Sequence, residues 1–94
     1  MIEYVFVASV AGSEQEKEEL LNVIKQYPDK IPGIVSLSTG FSTIKDSKFN
    51  WAAVFRFKDK EALESYGTHP FHISAIDRYG HLVKDSAMIE FEVE

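Results

Sequence analysis

An α+β domain of the ferredoxin-like kind, a four-stranded antiparallel sheet in βαββαβ order with its helices on one face, is predicted by this 94-residue sequence. Three observations predict it. Apolar residues alternate in the manner of a strand in four separate stretches, and helical stripes fall between the first and second and between the third and fourth of these. A short polar segment, too poor in apolar residues to be a helix, joins the middle pair. The length allows one core, so residues 1–94 are read as a single domain.

The elements follow in order. Ile2, Tyr4, Phe6 and Ala8 alternate with Glu3, Val5 and Val7 in a first strand that has apolar character on both faces, and Gly12-Ser13 ends it. Ser13 and Glu16 make a Ser-x-x-Glu capping box, in which each side chain meets the other's orphan backbone N–H. Leu20, Leu21, Ile24 and Tyr27 then recur at helical spacing until Pro28. Ile31-Pro32-Gly33 turns the chain into a second strand, Ile34 to Phe41, with Val35, Leu37, Thr39 and Phe41 on one side. Ser42 to Asn50 is polar and aperiodic, and is read as a mobile hairpin loop. Trp51, Ala53, Phe55 and Phe57 form one face of the third strand. Asp59 caps a helix with Ala62, Leu63 and Tyr66 inward and Gly67 as its stop. Pro70 opens another, whose inward stripe is His72, Ala75, Ile76, Tyr79, Leu82 and Val83. The last strand is Ser86 to Val93, with Ala87, Ile89, Phe91 and Val93 on one face.

The second face of this sheet carries Val5, Val7, Ile34, Ala52, Val54 and Met88, mixed with Ser36, Ser38, Arg56 and Glu90. It is too apolar for water and too polar for a closed core, so a homodimer burying the same patch on each copy is expected. Ten Lys and Arg stand against fifteen Asp and Glu, a net charge of −5, and the basic residues never cluster beyond Lys58-Asp59-Lys60. Nucleic-acid binding, which needs a basic stripe to neutralise phosphates, is not expected. No apolar run approaches the ~20 residues of a membrane helix, and Glu3 with no Lys or Arg before Lys17 contradicts a secretory leader, so a cytoplasmic location is expected. Cysteine is absent, which removes disulfides and thiolate sites, and Asp77 and His81 lack a third ligand, so no metal site is expected.

Three segments resemble the stress-responsive dimeric α/β-barrel (Dabb) domain family: Lys30-Ile31-Pro32-Gly33-Ile34, the run from Phe55 to Leu63, and Tyr66-Gly67-Thr68-His69-Pro70-Phe71-His72. The last is similar to the family's Tyr-x-x-His-Pro-x-His signature. The resemblance implies a ferredoxin-like protomer, a two-fold dimer whose sheets form a barrel, and no organic cofactor. One plant member of that family is a polyketide cyclase acting by aldol condensation. Its catalytic Tyr and His correspond to Tyr66 and His72. Such a reaction needs a base to take a proton beside a carbonyl and a donor for the developing oxyanion, roles that suit imidazole and phenol. The implied pocket is lined by Tyr4, Phe6, Trp51, Phe55, His69 and Ile76. Tyr4 stands where the family commonly has His, and Trp51 where the cyclase has another, which makes the expected pocket narrow and apolar. His69, placed before Pro70, is also expected to act locally as a helix cap. The expected function is binding, cyclising or isomerising a small carbonyl or polyketide-like compound. A non-enzymatic dimer module with the cavity filled by Tyr4 and Trp51, and a cofactor-free monooxygenase-like protein, are the alternatives.

Overall fold

Residues 1–93 are described by the computed structural model. Strands β1 (Ile2–Val10), β2 (Ile34–Phe41), β3 (Trp51–Phe57) and β4 (Val83–Glu92) form one sheet in the order β2-β3-β1-β4. Every neighbouring pair is antiparallel. Helices α1 (Glu14–Lys25), α2 (Tyr27–Lys30), α3 (Lys60–Thr68) and α4 (Pro70–Tyr79) complete the predicted ferredoxin-like order. The two central strands show why the alternation was so clear: Ile2, Tyr4, Ala8, Trp51, Ala53, Phe55 and Phe57 are all buried on the helix side. Among the described residues, no helix is long and apolar enough to cross a membrane.

The capping box forms as expected, with Glu16 N–H donating to Ser13 Oγ at 3.1 Å and Ser13 N–H to Glu16 Oε1 at 2.9 Å. The end of that helix differs. The helix leaves its path at Gln26, and Pro28 sits in the first turn of the separate α2, where its missing N–H costs nothing. Tyr27 thereby becomes the first residue of α2 and is one of the most deeply buried side chains. Gly67 does not stop α3, which continues to Thr68; Pro70 ends it by holding His69 in extended geometry.

Two strand faces also depart from expectation. The β2 residues Ile34 and Ser36, two apart, face the adjacent β3 residues Phe57 and Arg56, so a bulge at Val35 inverts the alternation and turns Ile34 onto the helix side. In β4, Glu90 lies opposite Tyr4 and Met88 opposite Phe6, which puts both on the helix side, while Ala87, Ile89 and Phe91 occupy the open face. The cause is position. β4 is an edge strand, exposed along nearly its whole length on both sides, so its helix side tolerates Ser86, Glu90 and Glu92.

The Ser42 to Asn50 loop, expected to be mobile, is tied down along its second half. The Asn50 side chain donates to Val10 C=O and accepts from Val10 N–H, both at 2.8 Å, and Asn50 N–H donates to Ala8 C=O at 3.0 Å. Ser9 Oγ donates to the Lys48 carbonyl beside it.

Candidate functional site

Between the sheet and the helices lies a cavity of about 200 Å³. Tyr4 and Phe6 reach it from β1, Trp51 and Phe55 from β3, Tyr27 from α2, Tyr66 from α3, and His72 and Ile76 from α4. Five of the six residues expected to line a pocket therefore do so, and Tyr66 and His72 share it. Tyr4 and Trp51 narrow the space without filling it. His69 stands apart: it borders a different recess with Ile31, Pro32 and Lys58, and its Nδ1 accepts the Phe71 N–H at 3.1 Å as the N-cap of α4. Its place before Pro70 turns its side chain back along the new helix, away from the cavity. Ile76 is 52% exposed, so it forms the rim and is no part of the buried stripe of α4.

The helix break brings Tyr66 and His72 together. α3 ends and α4 begins within one residue, so six positions of chain separate two rings whose centroids are 4.3 Å apart at an interplanar angle of 31°. A third side chain completes the arrangement: the Tyr27 hydroxyl lies 2.8 Å from His72 Nδ1. Tyr27 was legible in the sequence only as part of a helical stripe. A tyrosine where phenylalanine would pack equally well signals that its hydroxyl has a partner, but nothing local names a histidine 45 residues away.

Burial governs the charge state of the site. It pushes the Tyr66 and Tyr27 hydroxyls far above the usual phenol range, with neighbouring tyrosines adding to the effect at Tyr66, so both remain protonated donors. Burial raises Tyr4 as well, with the Glu90 carboxylate as a lesser cause. His72 is lowered by burial and then by the charge of His69, which makes it a neutral imidazole at pH 7. Trp51 Nε1 is the buried side-chain polar atom without a hydrogen-bond partner among the described residues, and its ring meets Phe6 edge-on at 5.7 Å. Among the described residues no group of three His, Asp or Glu side chains is placed to hold a metal ion.

The depressed His72 value has a consequence for stability. The unfolded chain binds its proton at the ordinary imidazole value of 6.5, above the folded protein, so the contribution of His72 is complete above that pH and lost as the pH falls through the folded value. Thermal unfolding followed from pH 7.5 to 5 is therefore expected to show a decline that is shallower in His72→Gln. Parallel declines in the two proteins would contradict a buried neutral histidine.

The same architecture recurs in solved structures of low sequence identity. A dimeric protein of unknown function from Bacteroides fragilis is similar, with TM-score 0.81 and 20% identity over 98% of this chain and 95% of that one. The hydroxynitrile lyase of Passiflora edulis gives TM-score 0.87 at 7% identity, covering 99% of this chain and 93% of its own. SnoaB, a cofactor-independent oxygenase from Streptomyces nogalater, gives 0.79 at 16% identity, covering 99% and 92%. No functionally curated protein matches the sequence. Residues 5–93 match the Stress responsive A/B Barrel Domain, so the chain, with its Tyr-x-x-His-Pro-x-His segment folded across a helix break, belongs to the Dabb family.

Proposed function

We propose that the protein is a homodimer that takes a small, largely apolar carbonyl compound into the cavity, where Tyr66 and His72 engage the carbonyl by acid–base chemistry for cyclisation or isomerisation. The close pair of a protonated phenol and a neutral imidazole at the wall of an otherwise apolar space carries this reading. Size narrows the ligand. An apolar protein cavity of ~150 Å³ holds benzene, so one of about 200 Å³ suits a single ring with a short substituent. That a cofactor-independent oxygenase shares the fold supports chemistry without an organic cofactor. The dimeric state of the similar Bacteroides fragilis protein supports a homodimer, and the apolar open face of the sheet is the surface that such an assembly would cover.

Calorimetric titration with benzoylacetone, an aromatic 1,3-diketone of suitable size, tests the proposal. Binding is expected with the native chain, and His72→Ala is expected to weaken it roughly tenfold while leaving the dimer intact. Tyr66→Phe should cost less, because it removes one donor and keeps the ring packed. Absence of binding, or binding indifferent to position 72, would leave the non-enzymatic dimer module as the better reading.

A further inference from the structure

We infer that Tyr27 is a positioning residue that holds His72 as the Nε2–H tautomer, so that His72 and Tyr66 both offer hydrogen-bond donors to the cavity and select a ligand carrying an anionic oxygen on a small apolar body. The ligand class rests on the reading of the cavity as a site for carbonyl compounds; the tautomer does not.

The Tyr27 hydroxyl has one partner among the described residues, His72 Nδ1 at 2.8 Å, and the Tyr27 side chain is 1% exposed. Two proton arrangements satisfy that distance. If Nδ1–H donated to Tyr27 Oη, the Tyr27 O–H would be a buried donor with no acceptor, the costlier kind of unmet group. If Tyr27 donates to Nδ1, the buried hydroxyl and Nδ1 are both satisfied, and the hydrogen of the neutral imidazole resides on Nε2, the nitrogen directed away from Tyr27. The ring is held in this setting from two sides. Tyr27 meets it edge-on, with centroids 5.7 Å apart at 83°, and Tyr66 lies across it at 4.3 Å.

His72 in this form has no basic nitrogen free for the cavity, so in the resting site it serves as an acid beside Tyr66, and the proton abstraction that a cyclisation needs would require the imidazole to change tautomer first. What the site offers is a pair of uncharged donors in apolar surroundings, the arrangement that suits an oxyanion. Hydrogen bonds to a charged acceptor are the stronger kind, and they offset the loss of water by that charge. The Glu90 carboxylate, whose charge reaches Tyr4 at the cavity wall, is paired with Lys60 Nζ at 3.2 Å, which offsets part of its repulsion of an anion. An enolate of a 1,3-dicarbonyl and a carboxylate share this chemistry, and the former needs no base from the protein.

Long-range proton–nitrogen NMR spectra of the full ¹⁵N-labelled chain at pH 7.5 read the tautomer directly. Nε2 should carry the proton and Nδ1 should be an unprotonated acceptor; a protonated Nδ1 overturns the inference without recourse to any variant. In Tyr27→Phe the Nδ1 resonance should move to the position of an imidazole nitrogen without a donor. An unchanged resonance overturns the positioning role, since lost packing alone would not alter bonding at that nitrogen. Titration with benzoylacetone above its own pKa, benzoate and neutral acetophenone tests selection. At least one of the two anions should bind roughly tenfold more tightly than acetophenone, and Tyr27→Phe should reduce that preference. Tighter binding of benzoylacetone identifies the enolate, and tighter binding of benzoate the carboxylate. Equal binding of acetophenone overturns the selection. If none of the three binds, the selection and the cavity reading fall together, while the nitrogen spectra still decide the tautomer.

Discussion

Val54→Asp is expected to abolish the dimer, which in the native chain should appear by light scattering at twice the 10.7 kDa chain mass. The effect follows from the open face of the sheet. Val54 lies opposite Val5, and Val5 lies opposite Ile89, so one apolar row crosses three strands, with Ala52, Val7 and Ala87 forming a second row beside it. Ile89 is 61% and Phe91 47% exposed in the protomer, too much apolar surface in one patch to leave in water. In the proposed two-fold dimer the same rows of each copy would be covered, and a carboxylate at position 54 would be buried once on each copy. The one cation of the central rows, Arg56, is already engaged with Glu3 at 2.9 Å. An unpaired buried charge costs about 3–5 kcal/mol, enough to dissociate a modest interface. Val54→Ala, which adds no charge, should remain dimeric. A native chain that scatters as a monomer would remove the assembly from the proposed function.

How far the sequence discloses this protein depends on whether a residue's partner is local. β1 and β3 were legible because each has a covered face, and coverage enforces alternation. The capping box and the Pro70 break were legible because three or four residues contain all of their chemistry. β4 was not: as an edge strand beyond the helical cover it has no buried side to impose a pattern, and its parity emerges only from its register with β1. The bulge at Val35 hid the orientation of Ile34 for a similar reason, since an added residue becomes visible only against the partner strand. In the candidate site, Tyr66 and His72 belong to one short motif and were found through it. Tyr27 reaches them by long-range folding, and His69, expected both as a helix cap and in the pocket, is only the cap, because its ring is held at the start of α4.

Gly33→Ala is expected to destabilise the protein by about 3 kcal/mol, through two effects that act at one atom. Gly33 has φ +91°, a conformation that side-chain-bearing residues rarely adopt, and holding alanine there costs on the order of 1–3 kcal/mol. The added Cβ would also stand 2.5 Å from Ala62 Cβ, a separation that forces movement and costs about 1–3 kcal/mol by overpacking. Ala62 has little room to retreat. It is buried in the first turn of α3, and its N–H is held by the Asp59 cap at 2.9 Å, so the helix must shift as a body. Lys58 N–H donates to Gly33 C=O at 2.9 Å, which ties the same turn to the end of β3 and closes the other route of relief. Because α3 carries Tyr66, the displacement should also disturb its ring contact with His72 and weaken ligand binding more than a remote substitution of equal cost. For a domain of this size the loss corresponds to a fall in Tm of more than about 10 °C. Ala62→Gly added to Gly33→Ala should recover the steric part, less the roughly 1 kcal/mol that glycine costs in a helix, and leave the backbone part. A Gly33→Ala protein that melts within about 3 °C of the native chain would show that the turn yields where the packing holds it fixed.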